Sequence, residues 1–125
     1  MQTLVEFMNR DRLKKYKSYN YFPEDKYELK RTINKLIKER GNKADFNDID
    51  TSKIDDMSFL FDRTSFDGDI SRWNVSSVES MEGMFWQAKN FDQNLDEWNI
   101  NPRCNISSIF YGCPLEKHPP KWYKK

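Results

Sequence analysis

The chain has 125 residues, enough for one domain of ordinary size. Hydrophobic residues make up 37% and aromatics 15%, with nine Phe, six Tyr and four Trp, so the expected core is thin and ring-rich. A formal charge of +1 argues against a dedicated nucleic-acid binder, and no apolar run reaches the ~18 residues of a membrane span.

The small net charge hides a segregation. Residues 1–43 hold twelve Lys/Arg against six Asp/Glu, residues 44–113 five against thirteen, and residues 114–125 four against one. A basic start, an acidic middle and a basic tail point first to complementarity within the chain, and second to distinct outer surfaces. The N-terminus lacks a charged leader followed by an apolar stretch, so the expected location is cytoplasmic, or virion-associated for a phage-encoded protein.

In chain order, residues 1–21 are a segment that is either helical or a docking element. Leu4, Phe7, Met8 and Leu13 fit one face of a helix over residues 3–15. Residues 22–43 hold a clearer helix over 26–40, with Leu29, Ile33, Leu36 and Ile37 on one face. Pro23 before it and Gly41-Asn42 after it match start and stop signals.

Residues 44–113 repeat. Phe66-Asp67-Gly68-Asp69-Ile70-Ser71-Arg72-Trp73-Asn74-Val75 aligns without gaps on Phe91-Asp92-Gln93-Asn94-Leu95-Asp96-Glu97-Trp98-Asn99-Ile100, an offset of 25. An earlier copy lies at offset 24, with Phe46, Ile49, Thr51, Ile54, Met57, Leu60 and Phe61 over Ile70, Trp73, Val75, Val78, Met81, Met84 and Phe85. The units are 46–65, 66–90 and 91–113. In each, an apolar-x-x-apolar-x-apolar half reads as a short strand. A second half such as Val78, Met81, Met84, Phe85 reads as one face of a short helix, with Ser52, Ser76 and Asn101 in the cap column. The expected fold class is therefore an α/β (α+β) solenoid: a short leucine-rich-repeat-like stack of strand–helix units with an N-terminal helical cap. The third copy is degraded, with Pro102 and Arg103 in the helical half, and Pro114 ends it. Residues 114–125 form a basic aromatic tail whose Trp122 and Tyr123 are expected to cover the open end.

The strings Ile49-Asp50-Thr51-Ser52-Lys53-Ile54-Asp55-Asp56-Met57 and Phe66-Asp67-Gly68-Asp69-Ile70-Ser71-Arg72-Trp73-Asn74-Val75-Ser76-Ser77-Val78-Glu79-Ser80-Met81-Glu82-Gly83-Met84-Phe85 resemble the BspA-like leucine-rich repeat family. The resemblance covers about residues 22–115. It implies a solenoid with adhesion or other protein-binding roles and no catalytic residues. The chain differs from that family's surface members in showing no signal peptide, lipid anchor or wall-sorting tail, and a short stand-alone member of this kind suggests a bacterial, phage or mobile-element origin.

Candidate chemistry is sparse. Asp67-Gly68-Asp69 carries oxygen ligands suited to calcium, but the aligned Asp92-Gln93-Asn94 does not repeat them, so turn residues are the preferred reading. His118 is the single His, which leaves neither a zinc set with Cys104 and Cys113 nor a triad. The two Cys read as reduced thiols. No enzyme, cofactor, metal or small-molecule substrate is expected. The expected function is a non-catalytic protein-binding module, an inhibitor or adaptor of a host protein, acting through the strand-side columns Asn47, Ser71, Asp96; Asp48, Arg72, Glu97; and Asp50, Asn74, Asn99. Arg10, Arg12, Lys14, Lys15, Lys121, Trp122 and Lys124 are further basic or aromatic contacts. Two alternatives stand beside it: a packaged component docked by residues 1–21, and a weak nucleic-acid binder.

Overall fold

The computed structural model describes residues 19–124. Helix α1, Lys26–Arg40, is the one α-helix among them. Its start is set by Asp25, whose carboxylate accepts from the Glu28 amide at 2.9 Å, while the Glu28 side chain accepts from the Glu24 amide at 2.9 Å. Its end is set by Gly41 at φ 88°, whose amide returns to the Ile37 carbonyl. Leu29, Ile33 and Leu36 form the buried face.

The expected strand–helix repeats do not form. Among the described residues there is no sheet, only four isolated parallel bridges, and the expected repeat helices are chains of β-turns. The α/β solenoid is thereby corrected. The physical reason lies in the backbone. In the first copy three turns overlap: Leu60 donates to the Met57 carbonyl, Asp62 to Phe59 and Thr64 to Phe61. The same pattern recurs at Met84→Met81, Trp86→Gly83 and Ala88→Phe85, and again at Ile109→Ile106, Tyr111→Ser108 and Cys113→Phe110. Positive φ falls at Phe59, Gly83 and Ser108, and at Arg63, Gln87 and Gly112, the third residue of a turn each time. A left-handed residue every fourth position prevents a continuous right-handed helix. Side chains then point two in and two out, which reproduces the i, i+3, i+4, i+7 spacing of a helix face.

The strand halves are replaced by corners closed by side chains. Asp45, Asp69 and Asn94 each accept from the amide two residues on, as do Asp56, Ser80 and Asn105. Asn74 accepts from the Ser76 amide in the same way, so Ser76 does not cap a helix.

These coils stack in register. The amides of Met57, Phe59, Phe61 and Arg63 donate to the carbonyls of Ser80, Glu82, Met84 and Trp86 in the next coil. Those of Met81, Gly83, Phe85 and Gln87 donate to Asn105, Ser107, Ile109 and Tyr111. The bonds of these alternate amides all run toward the next coil, whereas at the start of each row Glu79 and Asn105 donate back to the Asp55 and Glu79 carbonyls. Inside the stack, Phe61, Phe85 and Phe110 form a ladder with centroid spacings of 5.6 and 5.8 Å. Phe66 and Phe91 form a parallel ladder, each ring 4.2 Å from Phe61 or Phe85. The indoles of Trp73 and Trp98 are core residues that donate to the Phe46 and Ile70 carbonyls. Glycine is required at Gly83, where φ is 58° and an added Cβ would enter the Phe59 ring.

Each end is closed differently. At the first coil, α1 lies against the carbonyl edge: Lys26 Nζ donates to the Ser58 hydroxyl and carbonyl, and Lys30 Nζ to the Leu60 carbonyl. At the last coil, a 3-10 turn, Pro114–Glu116, leads the tail back over the corner half. Trp122 stacks on Trp98 at 6.3 Å and donates to the Leu95 carbonyl, so it continues the tryptophan column.

Candidate interaction surface

The corner residues named from the sequence mostly serve the fold. Asn47 is buried, and its side chain accepts from the Arg72 amide at 2.9 Å while donating to Asp45. Asp48 is gripped by Arg40 through two bonds of 2.8 and 2.9 Å and receives a third from Asn20. Asp50 and Asn74 close turns at Ser52 and Ser76. The Ser71 hydroxyl donates to Asp69, and Asp96 accepts from the Lys121 amide. Arg72, with a 75% exposed side chain paired to Asp45 at 3.6 Å, joins Glu97 and Asn99 as the outward members. The three columns thus contribute few unengaged groups to one surface.

Of the basic and aromatic contacts, Lys121 and Lys124 are exposed, whereas Trp122 is largely committed to Trp98 and Leu95. Arg10, Arg12, Lys14 and Lys15, and the helix expected over 3–15, lie outside the described residues.

The electrostatics follow the same structural logic. The Arg40 guanidinium holds the Asp48 carboxyl below the usual carboxylate range. The hydroxyl and amide of Ser71 lower Asp69. Burial works to raise Asp56, but the Ser58 hydroxyl and amide with Lys26 outweigh it, and the net shift is downward. Burial raises the Cys113 thiol to about 11, and Cys113 Sγ donates to the Phe91 carbonyl. Both Cys are free thiols.

Asp67 uses its carboxylate on the Asp92 amide and the Gln93 side chain, and Gly68 leaves room for the Phe46 and Phe66 rings. Among the described residues no group of three or more His, Cys, Asp or Glu is arranged to hold a metal ion. A recess of about 230 Å³ under the tail is lined by Asp92, Asp96, His118 and Pro119, among others. It is smaller than an ordinary ligand site, and its polar groups are already paired: His118 with Asp92 at 2.7 Å, Asp96 with Lys121.

The outward side chains of the turn rows make an extended feature that crosses the coils. Arg63 lies over the Trp86 ring at 4.7 Å, and Trp86 stacks on Tyr111 at 5.8 Å. This rail crosses all three coils. Phe59, 46% exposed, covers Gly83 beside it, and Tyr111 is 52% exposed. Aromatic and Arg side chains held rigidly at a surface are the residues that dominate protein interfaces. Sequence reasoning missed these positions. The signal was present: 62, 86 and 111 form a column between core positions, and two of its three members are aromatic.

No curated protein and no solved structure matches the chain. A family model described as "Mycoplasma protein of unknown function, DUF285" matches residues 28–123, and the chain belongs to this repeat-type Mycoplasma family.

Proposed function

We propose that the chain is a non-catalytic protein-binding module that presents the Arg63–Trp86–Tyr111 rail, with Phe59 beside it, to another protein. The observation carrying this reading is that rings occupy solvent positions on a scaffold whose other polar groups are largely engaged in turns and ion pairs. Rigid aromatic anchors lose little conformational entropy on binding, which is why they act as hot spots. Kinship with BspA-like repeats belongs to the same reading. The order of Trp73-Asn74-Val75-Ser76-Ser77-Val78 followed by Met81, Met84 and Phe85 supports it, and the binding roles of that family agree with it.

The test places a photo-crosslinking amino acid at Gln87, beside the rail, and captures partners in the source cell. Affinity of the purified partner is then compared across variants. Trp86→Ala and Tyr111→Ala should each weaken binding at least tenfold, and Arg72→Ala with Glu97→Ala should change it less than threefold. Equal affinity for wild type and both rail variants would remove this surface from the function.

A further inference from the structure

The row of inter-coil bonds has two edges of opposite chemistry, and one of them is unfinished. In the first two coils, alternate amides of the turn row all donate to the coil that follows. The corresponding amides of the third coil belong to Ile106, Ser108, Phe110 and Gly112. Gly112 donates to the Glu116 carboxylate at 3.4 Å. Ile106, Ser108 and Phe110 have no acceptor among the described residues. Ser108 is exposed and Ile106 half-buried, while the Phe110 ring points inward. The tail covers the corner half of this coil and packs Trp122 and Tyr123 on the Phe110 ring, but it supplies no carbonyls to the turn-half amides.

A second observation converges on the same edge. The rail steps from Arg63 to Trp86 to Tyr111 and stops there. One face of Tyr111 stacks on Trp86, and no ring or cation among the described residues stacks on the other. The next member of the ladder and the next set of hydrogen bonds are therefore missing at one place.

We propose that this edge takes an extended segment of a partner polypeptide, which adds as a fourth coil. Its alternate carbonyls accept from Ile106, Ser108 and Phe110, and an aromatic or Arg side chain of the segment covers the free face of Tyr111. The proposal rests on the protein-binding reading and specifies its mode, main-chain pairing with side-chain pockets for selectivity. A second copy of this chain is a poor occupant. Its matching carbonyl edge is plugged by α1, where Lys26 and Lys30 hold the Ser58 and Leu60 carbonyls. Its other edge is also amide, and two donor rows cannot pair.

The experiment uses ¹⁵N-labelled full chain and, as probe, a synthetic peptide of residues 79–90. That segment natively offers its carbonyls at 80, 82, 84 and 86 to a neighbouring coil and carries a Trp at the rail position. Saturating peptide should slow amide exchange at Ile106, Ser108 and Phe110 at least tenfold. Tyr111→Ala in the protein, or Ala in place of the peptide's Trp, should weaken binding at least fivefold. Three results would each overturn the proposal: no added protection at these amides; protection already present in the free chain and lost on deleting residues 1–18, which makes that segment the occupant; or protection that grows with protein concentration alone, which makes it a second copy. The crosslinked partner keeps the two readings apart. If it binds through Trp86 without protecting Ile106, Ser108 and Phe110, the binding function stands and the fourth coil falls.

Discussion

The two ends of the stack solve opposite problems. The first coil exposes carbonyls, and cations answer them: Lys26 at Ser58 and Lys30 at Leu60, both carried on a helix whose apolar face covers the core. The last coil exposes amides, which need acceptors, and only Glu116 supplies one from the tail. The polarity of the backbone bonds thus decides which residue types can serve at each end. A basic helix suits one end and would be useless at the other.

This contrast can be broken most forcefully at the tail. Trp122→Ala removes a ring stacked on Trp98 and covering Phe110, together with a bond to the Leu95 carbonyl, and should cost about 3 kcal/mol in urea unfolding. A loss below about 1 kcal/mol would mean that the tail is dispensable to the stack. A smaller effect is expected at the opposite end. Lys30→Met keeps most of the stem but loses the bond to Leu60, for about 1 kcal/mol by the same measurement. No change there would refute carbonyl capping by lysine.

The gentlest probe is pH. Asp48 and Asp56 sit at the α1 end with lowered pKa values, so their stabilisation is complete above the ordinary carboxylate range and disappears as pH falls through the lowered values. Cys113 sits at the tail end with its thiol raised to about 11. Its contribution is complete below the ordinary thiol range, near 9, and is lost as pH rises toward 11. Hydrogen exchange at pH below the ordinary carboxylate range should therefore report loosening first at the Arg40–Asp48 clamp, and at alkaline pH first around Cys113. The reverse order would contradict the assignment of these groups to the two ends.

Much of the packing was legible in the sequence. The offsets of 24 and 25 residues reappear as backbone bridges, Asp45 to Asp69, Asp56 to Ser80 and Ser80 to Asn105. The inward columns at Met57, Leu60 and Phe61, or Met81, Met84 and Phe85, are core. The backbone was not legible, because a chain of turns with two side chains in and two out mimics helical spacing. What distinguishes them is φ at Phe59, Arg63, Gln87 and Ser108, none of them a residue that advertises a left-handed turn. Only Gly83 and Gly112 in the matching columns gave a hint. The candidate surface was obscured for a related reason. Asp48, Ser71 and Asp96 look like free polar groups in the sequence, but Asp48 is in an ion pair, Ser71 closes a turn and Asp96 accepts from the Lys121 amide of the tail. The rail was hidden because rings ordinarily go inside, so the column of Trp86 and Tyr111 does not stand out from the core columns beside it.

The one-way row of amides has an evolutionary consequence. Each junction between neighbouring coils uses the same donors, acceptors and ring ladders, so a duplicated period of 24 or 25 residues could be spliced between two coils without redesigning either terminus. Such an insertion would lengthen the stack by about 4.8 Å, the spacing of neighbouring hydrogen-bonded backbones. It would also extend the outer rail by one step. Array length, and with it the reach of the surface, can therefore change by copying alone, while the helix and the tail remain as interchangeable end pieces.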